Sequence, residues 1–466
     1  MKFSLSQLWQ PSGTIGRGPY LAAGLFLFGV KHNLDRCLAT FVFGQPWGLF
    51  NYWVPAGALN IRHLPHDQIA FLGAMLILSL PFIWSGVCLT LARLRDTRLP
   101  LWLVFGFFLP FVNLLFFLLL SVLPGVTAGV LPMGKRASWL DRIVPNSPGG
   151  SAAAGIGITL VLGGIMTGLS VNFFKNYGWG LFVAIPFCMG MISVLVYGFH
   201  FPRTLGACIT VSIESVALFG FGLIVLAYEG VICVLMAAPI ALVLGLIGGV
   251  MGWAIQRMPE SRLETPRVLS LMLFAVPVMM GVEKADQLEP PVFEVKTAIV
   301  IDAPPECVWK HVVSFTELPP PTEWAFRAGI AYPTRAEIRG FGAGAVRHCR
   351  FSTGCFVEPI EVWDEPRLLR FSVSSNPPPM REWTFYSDVH PPHLDGYLVS
   401  RRGQFLLTRL PDGRTHLEGT TWYQHGLWPT DYWRVWSDEI IHTIHTRVLR
   451  HIKKLSEEDE MAHHQS

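Results

Sequence analysis

Charge is what this 466-residue chain has least of. Asp, Glu, Lys and Arg make up 15% of it, hydrophobic residues 51%, and mean hydropathy is +0.41. Soluble domains carry about 25% charged residues, so the shortfall points to a protein that crosses a membrane several times. The net charge of +3 is small and basic runs are missing, which argues against a nucleic-acid partner. Cysteine is scarce too. Of eight, Cys37, Cys88, Cys188, Cys208 and Cys233 lie in apolar segments, and Cys307, Cys349 and Cys355 make an odd set in the polar last third. No disulfide framework is expected from that distribution. The opening "MKFSLSQLWQPSGTIGRGPY" lacks a basic region followed directly by an apolar core and a small-residue cleavage site, so no cleaved signal peptide is expected. A nucleophile elbow, a phosphate loop and a dinucleotide fingerprint are also missing. "GFGAG" (Gly340 to Gly344) is rich in glycine, but between two predicted strands it reads as a turn.

What is present in quantity is apolar sequence. A spanning helix needs about 20 apolar residues. Such segments run near 20–43, 69–92, 101–123, 151–173, 178–199, 204–228, 230–256 and 268–282, the first interrupted by "KHNLDR" and the last short, so about 7–8 helices are predicted. The small-residue stretches "AAAGIGITLVLGGIMTG" and "LVLGLIGGVMG" favour close helix packing. Three polar groups fall at membrane depth. Lys31 and Asp35, four residues apart, can neutralise one another. Glu214 stands alone in "TVSIESVALFG" and is a functional candidate on that ground, or is neutral or pairs with a hydroxyl between helices.

Basic residues gather in cytoplasmic loops. Strict alternation with the N-terminus inside puts six (Lys2, Arg17, Arg93, Arg95, Arg98, Lys175) in the cytoplasm and eight (Arg62, Lys135, Arg136, Arg142, Arg203, Arg257, Arg262, Arg267) outside, against the rule. If the apolar run near Pro110 turns back instead, the loops at 93–98, 124–150, 200–203 and 257–267 share a side with Lys2 and Arg17. That side then holds twelve basic residues, against Arg62 and Lys175 opposite. The polar C-terminal third would then lie outside the cytoplasm, although free cysteines favour the other face.

Several short motifs follow one another in the first 126 residues: "GRGPY" (Gly16 to Tyr20), "ARLRD" (Ala92 to Asp96), "PLW" (Pro100 to Trp102), "PFVN" (Pro110 to Asn113) and "LPG" (Leu123 to Gly125). In that order they resemble the domain-of-unknown-function-805 family of small bacterial inner-membrane proteins. Arg95 stands where that family favours His, and its polar Asn-Arg-Phe-Gly tail is missing. The resemblance implies a bacterial inner-membrane location and no established activity. Arg93, Arg95, Asp96 and Arg98, at a helix end, can meet lipid phosphates or fix topology.

From Glu283 the composition changes. A polar linker (283–292) leads to "FEVKTAIVI" (Phe293 to Ile301), which alternates as a strand does. Asp302 is placed to cap a following helix, with Pro304 and Pro305 in its first turn. Further strands are predicted at 333–340, 344–352, 355–364, 367–375, 402–410 and 414–424, and "LPDGRTHLEG" suits a hairpin. A long helix follows over about 430–456, with Trp433, Trp436, Ile440, Ile444, Val448 and Ile452 at helical spacing. Residues 457–466 read as a disordered tail. The expected organisation is a membrane module (1–126), a loop (127–150), a second helix bundle (151–282), the linker, an α+β domain (293–456) and the tail.

"IDAPPECVWKHV", "GAVRHCRFSTG" and "PIEVWDEPRLLRFSV" in this setting resemble the SRPBCC superfamily, whose helix-grip fold is shared by START domains, polyketide cyclases and the birch-pollen allergen. The resemblance implies an antiparallel sheet curled around the C-terminal helix and enclosing an apolar cavity. Trp309, Trp324, Phe326, Tyr423, Trp433 and Trp436 are candidates to line it, or to fill an ordinary core. Arg347, Glu358 and Glu418, on adjacent predicted strands, are candidates for a buried charge network or a ligand headgroup anchor, or are solvent-facing strand residues. Tyr423 and His425, in "YQHGLWP", suit a hydrogen bond or proton transfer. "DVHPPHLDGYL" adds His390, His393, Asp395 and Tyr397 on a loop, and His442 and His445 sit on the helix. No complete ligand spacing such as HExxH joins them, so no metal or other cofactor is expected. The functional expectation is a membrane-anchored domain that binds a hydrophobic or lipid-like small molecule at the bilayer. A ligand sensor and a cyclase- or hydratase-like enzyme are the alternatives.

Overall fold

The computed structural model describes residues 8–45, 47–48, 52, 66–108, 112–123, 125, 139–258, 261–286, 289–386 and 389–465. Lys2, Arg62, Pro110, Phe111, Pro124, Lys135, Arg136 and Asp388 lie outside them, as does the side chain of Arg262. The chain divides into two compact units. One is Met1–Gly222 with Ala237–Gln287, and the other is Leu223–Met236 with Leu288–Ser466.

The helices before the linker are α1 (Arg17–Cys37), α2 (His66–Asp96), α3 (Val112–Val122), α4 (Leu140–Ile143), α5 (Pro148–Gly168), α6 (Ile185–Tyr197), α7 (Leu205–Val225), α8 (Val231–Ile255) and α9 (Ser261–Asp286). Among the described residues, six helical stretches are long and apolar enough to cross a membrane: Ile69–Asp96, Pro148–Phe174, Gly180–Tyr197, Leu205–Val225, Val231–Ile255 and Thr265–Ala285. The two remaining apolar segments differ from these for physical reasons. α1 carries Arg17, Lys31, Asp35 and Arg36. The run from Leu101 is broken into a 3-10 stretch, Leu101–Phe108, and the 11-residue α3, which at 1.5 Å per residue reaches about half of a 30 Å hydrocarbon core.

Glycine sets the packing of the first unit. All thirteen residues of α6 are buried. A Cβ on Gly155 of α5 would stand 2.6 Å from the Ser193 carbonyl oxygen, and one on Gly248 of α8 would stand 2.0 Å from that of Phe187. With no hydrophobic drive between helices in lipid, such close backbone approach supplies the dispersion contacts that hold them. Ser212 on α7 adds a 2.6 Å hydrogen bond to the Gly245 carbonyl.

The motif residues near the N-terminus meet one another. Arg93 is fully buried and donates to the carbonyls of Leu120 (2.8 Å), Ile15 (3.3 Å) and Leu123, and to Asp96. It therefore ties α2 to the start of α1 and the end of α3, and is not available to a lipid phosphate. Lys31 pairs with Asp35 as its spacing implied, and the Tyr52 hydroxyl also donates to Asp35 at 2.6 Å. Glu214 is exposed on α7.

In the second unit the strands are β1 (Phe293–Ile301), β2 (Pro333–Arg339), β3 (Val346–Phe351), β4 (Gly354–Asp364), β5 (Leu368–Ser372), β6 (Leu398–Arg409) and β7 (Thr415–His425). They form one antiparallel sheet in the order β1-β7-β6-β5-β4-β3-β2. α10 (Pro305–Val313) and α11 (Trp324–Arg327) lie between β1 and β2, and the long α12 (Thr430–Gln465) closes the chain. Ile301, Leu369, Leu407 and Leu417 from the sheet bury their side chains with Val308 and Val312 of α10 and Val448, Leu449 and Ile452 of α12. This is the expected helix-grip arrangement. The "GFGAG" stretch is a turn, and Gly340, Gly342 and Gly344 all have positive φ, which only glycine adopts without strain.

Two local expectations change. Asp302 does not cap α10. Pro304 is the residue before its first turn, and Asp302 instead gives its backbone N–H to Glu457 and its carboxylate to Arg414. The segment read as a tail continues α12 to Gln465, stabilised by the Lys453–Glu457 pair and by His311 against Asp459 at 2.9 Å.

The glycine contacts make a direct test. Gly248→Val is expected to lower the melting temperature of the detergent-solubilised protein by several degrees. Gly157→Ala, where a Cβ meets nothing within 4 Å, should leave it unchanged.

Candidate functional site

Alternation decides what the concave side of the sheet presents. Arg347 and Cys349 on β3, Glu358 and Ile360 on β4, Phe371 on β5, Phe405 on β6, and Gly419 and Thr421 on β7 share that side, because successive side chains of a strand point to opposite faces. α12 lays Ile441, Ile444, His445, Val448 and Leu449 across it, one helical face by their spacing. Helix and sheet do not meet everywhere. Between them lies a cavity of about 120 Å³, walled largely by phenylalanine rings and the aliphatic side chains of α12.

Glycine makes part of this space. A Cβ on Gly403 would stand 2.6 Å from the Phe371 ring, so the ring lies flat on β6 only because that residue is glycine. Gly419 lines the cavity, and a Cβ there would meet Phe405 at 3.7 Å and Leu449 at 3.8 Å, ordinary contacts.

Two polar features interrupt the apolar wall. Arg347 and Glu358 are directly opposed in the β3–β4 register and form an ion pair with side chains 2% and 8% exposed. The guanidinium also donates to the Val313 carbonyl at 3.3 Å and lies 5.5–5.6 Å from the ring centres of Phe315, Phe371 and Phe405, within cation–π range. Burial lifts the Glu358 carboxyl above its usual range, against the opposing pull of Arg347. The second feature is His445. Its Nε2 lies 2.7 Å from the Thr421 hydroxyl and its Nδ1 3.1 Å from that of Thr297, which also meets His442 Nδ1 at 2.8 Å. Burial, with a smaller push from His442, holds His445 down at about 4, so the imidazole is neutral at ordinary pH.

The structure gathers only part of the residues singled out in the sequence. Arg347 and Glu358 are in the wall. Glu418 is not: it faces the other side of β7, where it accepts from Thr420 at 3.3 Å. Trp309 belongs to the core, edge-on to Trp363 at 5.7 Å. Trp324 is 72% exposed. Phe326 is buried against Tyr332 and Arg447. Trp433 is buried near the start of α12 and Trp436 is half-buried; neither lines the cavity. Tyr423 packs with Phe293, Val295 and Ile441 beyond the lining, and its hydroxyl donates to Asp438 at 2.5 Å. Burial and Asp438 both push its ionisation up. His425 stacks on Phe293 at 5.4 Å and is pushed down to about 4 by burial. These two, on which proton-transfer chemistry was to rest, thus lie outside the cavity lining. Phe315, Phe371, Phe405 and Thr421 were missed, and His445 was weighed only as a metal ligand. The parity of each strand relative to Arg347 would have found Phe371, Phe405 and Thr421, and the face of α12 shared with Val448 would have placed His445; Phe315 lies between α10 and β2, outside any strand pattern.

Comparison with known proteins agrees with the two halves of the chain. Residues 8–130 match the family model described as protein of unknown function DUF805. No curated protein matches the chain. Solved structures resemble its C-terminal third. A structural-genomics protein from Nitrosospira multiformis is 19% identical, covering 35% of this chain and 94% of its own (TM-score 0.22). Norcoclaurine synthase from Thalictrum flavum is 12% identical, covering 36% and 96% (TM-score 0.23). The Zhui aromatase/cyclase from Streptomyces sp. R1128 is 13% identical, covering 36% and 94% (TM-score 0.24). At such identities and TM-scores these matches say nothing of what the chain binds or does.

Two outcomes follow from these electrostatics. Arg347→Met strands a buried carboxylate and is expected to cost about 3–5 kcal/mol, whereas replacing both partners by methionine should recover most of it; denaturant melts of the parent, Arg347→Met, Glu358→Met and the double variant measure this. His425 and His445 bind protons less readily folded than unfolded. Their contribution to stability is full above about pH 6.5 and is lost as pH falls towards about 4. A His445→Gln variant should therefore lose less melting temperature than the parent over that window, and parallel curves would contradict the assignment.

Proposed function

We propose that the second unit is a membrane-tethered receptor for a small hydrophobic or lipid-like molecule, whose apolar end enters the cavity between α12 and the sheet. The observation that carries this reading is the convergence of phenylalanine walls on two polar groups, the Arg347–Glu358 pair and the neutral His445. A concave apolar surface with a few placed polar groups is the usual design of a small-ligand site. Arg347 and Glu358 offer a donor and an acceptor to a hydroxyl, carbonyl or carboxyl on the ligand, and His445 offers a second contact.

Size narrows the class. About 120 Å³ is close to the ~150 Å³ of an engineered cavity that takes benzene, and well below the ~300–1,000 Å³ of sites that enclose a drug-sized molecule. The buried part of the ligand is therefore about one ring or a short branched chain. A longer molecule would leave its remainder outside or require α12 to part from the sheet. The tether raises the effective concentration of the domain at the bilayer, so modest affinity suffices.

A sensor role is favoured by one further observation. Leu223–Met236, which includes the first turns of α8, belongs to the same compact unit as the C-terminal domain, so a ligand that shifts the domain has a path into a membrane helix. The resemblance of the first 126 residues supports a bacterial inner-membrane location, and the balance of basic residues supports placing this unit on the non-cytoplasmic side.

The test uses full-length protein in lipid nanodiscs and 4-fluorophenol followed by fluorine NMR. The parent should bind the probe, and Gly419→Val, which fills cavity space with a residue suited to a strand, should weaken binding about tenfold, a loss of ~1.4 kcal/mol, with little change in melting temperature. Equal binding by parent and variant would contradict the site.

A further inference from the structure

A second cluster lies in the same unit, away from the cavity, at the start of α8. Glu229 and Cys233 flank its first residues, and His393 comes from the short 3-10 turn Pro392–Leu394. The Cys233 Sγ is 2.8 Å from His393 Nε2, and His393 Nδ1 is 3.5 Å from Glu229 Oε2. One ligand atom from each residue lies within 4.8 Å of the other two. The site is nearly dry: the side chains of His393 and Glu229 are 10% and 12% exposed. A second carboxylate stands beside Cys233. Glu382 is 7% exposed and its carboxyl faces the Cys233 thiol and the amides of Ile232 and Cys233. Gly230 admits it, since a Cβ there would be 1.8 Å from Glu382 Oε2.

Two carboxylates and a thiol enclosed together are costly unless a cation offsets their charge. The donor set says which cation. Thiolate and imidazole are poor ligands for Ca²⁺ or Mg²⁺, which take oxygen, whereas a mixture of sulfur, nitrogen and carboxylate oxygen suits Zn²⁺ and its Co²⁺ substitute. Tetrahedral Zn²⁺, with bonds of about 2.0–2.3 Å, spaces its ligand atoms about 3.3–3.8 Å apart. At present the two imidazole nitrogens face different partners, Nε2 the thiol and Nδ1 the Glu229 carboxylate, so binding requires the side chains to turn until one nitrogen points at the ion.

We propose that Glu229, Cys233 and His393 bind one Zn²⁺-type divalent ion. Three protein ligands leave the fourth position of a tetrahedral ion to water or another small ligand. The ion would fasten the α7–α8 turn to the segment that precedes β6. Coordination releases the thiol proton to solvent. Sequence spacing could not announce this site, because Cys233 and His393 are 160 residues apart.

The experiment uses full-length protein in detergent, stripped with a chelator and reloaded with Zn²⁺ or Co²⁺. The parent should hold about one equivalent of metal, show a thiolate-to-cobalt charge-transfer band, and have Cys233 protected from alkylation by Zn²⁺. Cys233→Ser and His393→Gln should each lose the band and weaken metal binding at least about tenfold, while His390→Gln, a neighbour outside the cluster, should retain both. Should the cluster variants misfold, alkylation of the parent with and without Zn²⁺ still decides. Parent protein that takes up no ion, or whose alkylation rate ignores Zn²⁺, would overturn the proposal and leave a hydrogen-bonded thiol–imidazole–carboxylate relay.

Discussion

A guanidinium enclosed by three phenylalanine rings has to be paired, and in this protein the partner comes from the adjacent strand. Arg347 and Glu358 face one another across β3 and β4, so their pairing and the register of those strands are one constraint. A slip by one residue would turn both charges to the outer face and bring their neighbours inward. A well-packed apolar pair could occupy the same place at equal or greater stability. Retaining the ion pair makes sense where its unused hydrogen-bonding capacity faces a space, and the cavity is that space.

The cavity itself results from what cannot close. α12 is held against the sheet along the face from Ile441 to Ile452, and the β1 end is fixed by hydroxyl contacts from Thr297 to His442 and His445. Gly403 and Gly419 contribute no side chain where the other strands contribute phenylalanine. The void is the difference between a stiff helix and a curled sheet with two glycines in its wall. The membrane unit uses the same residue for the opposite purpose, drawing α5 and α8 onto the backbone of α6.

Much of this fold was legible beforehand. Alternation located the seven strands to within a few residues, and the run after Thr430 announced the final helix. Arg347 and Glu358 stood out as charges on adjacent predicted strands, but which face they took was left open. Other residues misled because identity does not specify direction. Trp324 is as aromatic as Phe371, yet it lies on a four-residue helix at the surface, while Phe371 lies on the concave side of β5. Glu418 differs from Gly419 by one step along β7, and that step reverses the face. Tyr423 shares the inward parity but sits beyond the cavity, where Asp438 holds its hydroxyl. Arg93 read only as a group for lipid phosphates or a topology anchor, because its carbonyl partners, at Ile15, Leu120 and Leu123, are distant in sequence. The Glu229–Cys233–His393 cluster was invisible for the same reason.

The most direct measurement is an experimental structure of the full-length protein with 4-bromophenol, using the anomalous signal of bromine to locate the probe. The account predicts a single strong bromine peak between α12 and the sheet, with the phenol oxygen towards Arg347 and Glu358 or His445. A cavity closed by contact between Phe371, Phe405 and Val448, with bromine only elsewhere, would contradict it.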